Sequence, residues 1–136
     1  MKKILVAYVP SATSEAALAY AFQEAGVHDA SLIVLASEKA VNASKGMAVT
    51  DERPLTERLM ASGIPFELRT VPKRDDPADD ILEVIEAEDV DLVVLGIRRR
   101  TPIGKILLGS TSQRVVMESP APVVLVKPEG FVPPER

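Results

Sequence analysis

Short apolar runs alternate along this chain with segments whose apolar residues recur every three to four positions, which is the signature of strands separated by helices. Ile4 to Val9 is the first run, bounded by Lys2-Lys3 and by Pro10-Ser11, and its continuous apolar character suits a central strand buried on both faces. The period then changes over residues 14 to 25. Leu18, Ala21, Phe22 and Ala25 fall at i, i+3, i+4 and i+7, with Glu15 in the first turn and Gly26 where a helix should stop. Leu32 to Leu35 form a second apolar strand, residues 38 to 50 lose periodicity and read as a loop, and Leu55 to Met60, closed by Gly63, predict a short helix.

From Ile64 to Thr70 the pattern alternates, placing Ile64, Phe66 and Leu68 on one face and Pro65, Glu67 and Arg69 on the other. Proline in an alternating strand points to a sheet edge. Asp76 is positioned to cap a helix that has Pro77 as its first residue, Asp79 and Asp80 near its positive end, and Ala78, Ile81, Leu82 and Ile85 as its inner stripe. Val90 to Leu95 and Val123 to Val126 are two more apolar strands, with Gly109 to Glu118 supplying a turn and helix between them.

Five strands of this kind, separated by helices, require a parallel sheet covered on both faces. Right-handed crossovers, the proline-bearing third strand at an edge and the wholly apolar first strand in the middle predict the order 3-2-1-4-5. One domain should span residues 1–128, with the loosely held tail 129–136 beyond it. In this order the connections diverge between strands 1 and 4, and a ligand crevice belongs there, at the carboxyl ends of the strands. Two loops border it, 9 to 14 and 96 to 110.

The second loop, Gly96-Ile97-Arg98-Arg99-Arg100-Thr101-Pro102-Ile103-Gly104-Lys105-Ile106-Leu107-Leu108-Gly109-Ser110, begins where a strand ends. It closes on Gly109-Ser110-Thr111-Ser112-Gln113, the start of a helix whose first amides attract anions. Gly96 and Gly109 let backbone approach a ligand closely, and Arg98, Arg99, Arg100 and Lys105 add positive charge. A purely structural reading stays open beside this one. Ser110 and Gln113 have capping-box spacing, Gly96 suits a strand-ending turn, and the arginines suit a solvated face. A Walker A loop is excluded, because Arg99 and Ile106 stand where its glycine and its Ser or Thr would be.

Composition narrows the chemistry further. A net charge of -4 argues against nonspecific nucleic-acid or anionic membrane binding, and the absence of cysteine removes disulfides, thiol catalysis and thiolate metal sites while fitting a reducing compartment. The apolar core after Lys2-Lys3 is too short for a signal peptide, and no run reaches membrane-spanning length, so the chain is expected in the cytoplasm. His28, the only histidine, precedes the second strand and belongs on a surface loop at the opposite rim from the crevice. Asp75, Asp76, Asp79 and Asp80 are explained by helix capping more simply than by a metal, and Glu86, Glu88 and Asp89 by a solvated helix end. No nucleophile and base pair is apparent, so no enzymatic activity beyond slow nucleotide hydrolysis is expected.

Taken in order, Lys3 to Ala7, Ser14 to Ala17, Asp76 to Leu82, Asp91 to Gly96, Gly109-Ser110 and Ser119 to Val126 resemble the universal stress protein family over nearly the whole chain except 38 to 62. The resemblance implies a Rossmann-like, adenine nucleotide alpha hydrolase-like fold and a stress-response regulatory role. It also implies binding of ATP or a related adenine nucleotide at the 96–110 loop, with a divalent cation carried by the phosphates. Nucleotide-binding members follow G-x2-G-x9-G-[ST], which Gly96 and Gly109-Ser110 match while Arg99 takes the second glycine position. They also carry an aspartate near the ribose where this chain has Val9. Arg99 can fill the phosphate space or pair with phosphate oxygens itself. The alternative is a dimeric protein-interaction module that binds no nucleotide, its protein partner unnamed. In either case the resemblance, and the bare apolar edge of Val123 to Val126, imply a homodimer joined through that strand.

Overall fold

The computed structural model describes residues 2–8, 12–37, 54–71, 77–97 and 108–128. Five strands, β1 (Lys3–Tyr8), β2 (Ser31–Ser37), β3 (Phe66–Val71), β4 (Leu92–Gly96) and β5 (Val123–Val126), alternate with helices α1 (Ala12–His28), α2 (Leu55–Ala61), α3 (Ala78–Ala87) and α4 (Ser110–Glu118). All neighbouring strands pair in parallel, and the sheet order is β3-β2-β1-β4-β5, as the apolar pattern predicts. β3 is an edge strand, although Pro65 lies just ahead of it and contributes only its carbonyl, which accepts from Leu32 N–H at 2.9 Å.

The sheet is covered on both faces because the strands alternate their side chains between two apolar layers. On one face Ile4, Val6 and Tyr8 of β1 pack with Leu18 and Ala21 of α1 and with Leu55 and Leu59 of α2. On the other, Leu5, Val93 and Leu95 pack with Ile81 and Ile85 of α3 and Val115 of α4. Side chains such as these, when fully buried, each contribute about 1.5–3 kcal/mol of apolar transfer energy. The stripe expected for α3 is observed, with Ala78, Ile81 and Ile85 buried and Leu82 packed at its margin.

Several helix ends differ from the sequence expectation. α1 runs through the exposed Gly26 to His28 and stops at Asp29, which takes a left-handed φ of 53° while Ala30 N–H donates back to the Ala25 carbonyl at 2.9 Å. Glycine was not needed, since a short aspartate tolerates that conformation. α3 ends the same way at Asp89, φ 51°, with Val90 N–H donating to Ile85 at 3.2 Å. Pro77 occupies the N-cap of α3 instead of its first helical position, and Asp76 lies outside the described residues. α2 ends as expected, with Gly63 at φ 73°.

β5 departs from the expectation of two buried faces. All four of its residues are half-buried, Val124 and Val126 on the α1 side and Val123 and Leu125 on the other, because among the described residues no strand lies beyond it in the sheet. The loop 38–50 and the tail 129–136 lie outside the described residues.

Candidate functional site

The order β3-β2-β1-β4-β5 puts the divergence of the connections between β1 and β4, which pair through Ile4 with Leu92, Leu5 with Val93 and Val6 with Val94. The end of β1, Gly96 and Ile97 leaving β4, and the start of α4 therefore lie at the end of the sheet where a parallel sheet of this order opens its crevice. Ile97 is buried and its N–H donates to the Val126 carbonyl at 2.8 Å, which holds the strand end in the sheet up to that residue. Gly96 is half-buried just before it.

The start of α4 overturns the capping-box expectation. The N-cap is Gly109, extended at φ -68° and ψ 161°, which has no side chain to cap the helix; Ser110 is the first helical residue and is exposed. The helical ladder opens with Gln113 N–H donating to the Gly109 carbonyl at 2.9 Å, so the amides of residues 110–112 precede it. The capping box fails because serine sits one position too late. Gly109 contributes no side-chain acceptor of its own at this helix start, and the positive end of a helix dipole attracts anions. Gly96, Gly109, Ser110 and Thr111 are thus brought to one end of the sheet, whereas Val9, Arg98 and Arg99 lie outside the described residues.

A polar cluster that the sequence reading missed lies at the same end of β1. Arg58 of α2 forms a two-pronged pair with Glu15 of α1, Nη2 donating to Oε1 at 2.5 Å and Nη1 to Oε2 at 3.0 Å. The Tyr8 hydroxyl donates to Glu15 Oε2 and accepts from Arg58 Nη1 at 3.3 Å, with the guanidinium 6.0 Å from the Tyr8 ring centre. The Arg58 and Glu15 side chains are only 10% and 12% exposed. Burial, followed by the bond to Glu15, pushes the Tyr8 pKa up to about 12, so the phenol stays a donor at neutral pH. Burial works against the Arg58 charge, and the bonds to Glu15 and Tyr8 more than offset it, so its pKa moves up. Sequence spacing could not reveal this cluster, because its members come from three elements joined only by the fold. The one available signal was tyrosine in an otherwise aliphatic strand.

Other charged residues among those described are paired with one another. His28 is the last residue of α1, not part of a loop, and pairs with Glu24 one turn earlier at 3.2 Å, at the amino end of β2 as expected. Glu88 is not simply solvated: it pairs with Arg69 of β3 and lies 3.8 Å from Lys3. Asp79 pairs with Arg114 of α4 at 2.8 Å. Among the described residues, no group of three or more His, Asp or Glu side chains is arranged to hold a metal, and no helix is long and apolar enough to cross a membrane.

Comparison with known proteins matches this architecture. The model of the universal stress protein family matches residues 1–127. A universal stress protein of Mycolicibacterium smegmatis is 38% identical over 136 residues, an alignment covering 94% of this chain and 99% of that protein. Among solved structures, the universal stress protein from Archaeoglobus fulgidus aligns with a TM-score of 0.69 at 26% identity, covering 93% of this chain and 99% of that one. A universal stress protein in complex with cAMP aligns with a TM-score of 0.65 at 26% identity, covering 93% and 96% of the two chains.

Proposed function

The chain belongs to the universal stress protein family, and from that premise we propose that it is a stress-response regulatory protein that holds an adenine nucleotide in the crevice between β1 and β4. The observation that carries the reading is the start of α4 at the carboxyl end of the sheet, where Gly109 is an N-cap with no side chain ahead of the first amides of the helix. Phosphate oxygens suit those amides, and a glycine at the cap admits them without a Cβ in the way. A related protein of known structure binds cAMP, which supports an adenine ring and ribose as the other parts of the ligand. Arg98 and Arg99 follow β4 closely in sequence and would supply charge to the phosphates, and a divalent cation would be carried by the phosphates themselves.

In this reading the role is binding, with at most slow hydrolysis of the bound nucleotide. Neither Gly96, Gly109, Ser110 nor Thr111 can serve as a general base, and the single histidine is held at the far rim by Glu24. The absence of cysteine and the net charge of -4 fit action in the cytoplasm, away from nucleic acid and anionic membranes.

The test is mass spectrometry of the protein purified without added nucleotide, together with calorimetric titration of ATP into wild type and Gly109→Val. Co-purifying adenylate and a loss of ATP binding in the variant are expected. ATP bound equally well by both proteins would show that the site is elsewhere.

A second reading is favoured by Val9, which stands where nucleotide-binding relatives carry their ribose aspartate, and by the half-buried apolar edge of β5. In it the chain acts through protein contacts as a homodimer joined along β5, with no nucleotide. The dimer is compatible with both readings, so ATP titration separates them and oligomeric state does not.

A further inference from the structure

The Tyr8, Glu15 and Arg58 cluster is unusual for its surroundings. The layer that contains it is otherwise built from Ile4, Val6, Leu18, Leu55 and Leu59, all fully or almost fully buried. Removing two charges from water is costly, and apolar residues of similar volume would commonly stabilise such a layer as well or better. A buried two-pronged pair does supply something that apolar packing does not, namely a fixed direction and spacing between the elements that carry it.

Those elements are placed to matter. Tyr8 is the last residue of β1, Glu15 lies in the first turn of α1, and Arg58 reaches both from α2. The bond from Tyr8 to Glu15 therefore ties the point where the chain leaves the sheet to the point where it re-enters a helix, next to the crevice between β1 and β4. Arg58 then locks that tie to a third element. We propose that Tyr8, Glu15 and Arg58 are positioning residues that hold the end of β1 and the first turn of α1 at the spacing the crevice requires for its ligand. None of them is assigned a contact with the ligand. The consequence for affinity rests on the nucleotide reading above, whereas the clasp itself does not.

The experiment uses the full chain as wild type, Tyr8→Phe and Arg58→Lys. The lysine keeps a charge for Glu15 but cannot form the fork, so it perturbs geometry more than charge. Hydrogen exchange is measured for the amides of Ala16, Ala17 and Leu18 in α1 and of Ile81 to Ile85 in α3, and ATP is titrated by calorimetry. Protection in the α1 group should fall at least tenfold more than that in α3, and ATP affinity should fall at least fivefold in the same variants. An equal loss in both helices would mean a general stability effect and would overturn the proposal, as would unchanged protection. Unchanged ATP affinity in a variant that has lost local protection would also overturn it. If Arg58→Lys does not fold, Tyr8→Phe decides by the same comparison. If wild type binds no ATP, the nucleotide reading fails, while the exchange measurement still decides whether the clasp orders this end of the fold.

Discussion

Raising the pH above 10 should weaken the folded chain through Tyr8, and replacing that side chain with phenylalanine should remove the effect. Tyr8 is 4% exposed, and its pKa is pushed from 10.0 to about 12, by burial first and by the bond to Glu15 next. Between those two values the unfolded chain releases a phenol proton that the folded chain keeps. The unfolded state then binds fewer protons, so stability falls as pH rises. At about 1.4 kcal/mol per unit, the shift is worth about 3 kcal/mol, present below the unfolded pKa and lost as pH climbs through the folded one. At neutral pH the Tyr8→Phe variant leaves Glu15 one donor short in a buried setting, which costs about 1–3 kcal/mol. The variant therefore starts less stable, and wild type should lose its advantage as the solution becomes more alkaline. Urea unfolding of both proteins at several pH values from about 8 to about 12 measures this, since lysine titration is common to both and cancels in the difference. A stability gap that stays constant across that range would refute the assigned environment of Tyr8.

Val9→Asp should tighten adenine nucleotide binding by about 1–2 kcal/mol through the ribose, less the desolvation of the new carboxylate, and Arg99→Gly should be the stronger change if that arginine fills the phosphate space; calorimetric titration of ATP into each variant separates the two. Light scattering should find wild type as a dimer and Val124→Lys as monomer or aggregate, because a lysine in the β5 seam opposes edge pairing; a wild type that stays monomeric well above micromolar concentration would remove the dimer. Leu18→Ala, at a fully buried position, should cost about 2–5 kcal/mol in urea unfolding, while Val27→Ala, at a position 72% exposed, should stay within about 0.5 kcal/mol. Equal effects at the two positions would mean that the α1 face is assigned wrongly.

The strands and their order were legible in the sequence, because they follow from local patterns. Apolar runs such as Ile33 to Leu35 and Val93 to Leu95 must be buried on both faces, only a parallel sheet with helices on each side does that, and right-handed crossovers leave few orders. The edge position of β3 was legible from one proline for the same reason, although Pro65 proved to stand just ahead of the strand. Helix ends were less legible, since left-handed φ at Asp29 and Asp89 is a choice made by the packing of the strands that follow, and Gly26 was free to stay helical. The same limit applied at Ser110, whose spacing from Gln113 suited a cap until the turn placed Gly109 there instead. What only the tertiary structure decided is the joining of Tyr8, Glu15 and Arg58, and of Glu88 with Arg69 and Lys3. Such contacts bridge 43 residues in one case and 19 in another, and no sequence period encodes a separation that exists only after the sheet has closed. A charged side chain read in sequence is most simply solvated, and only the folded chain shows which of them has lost its water and taken a partner.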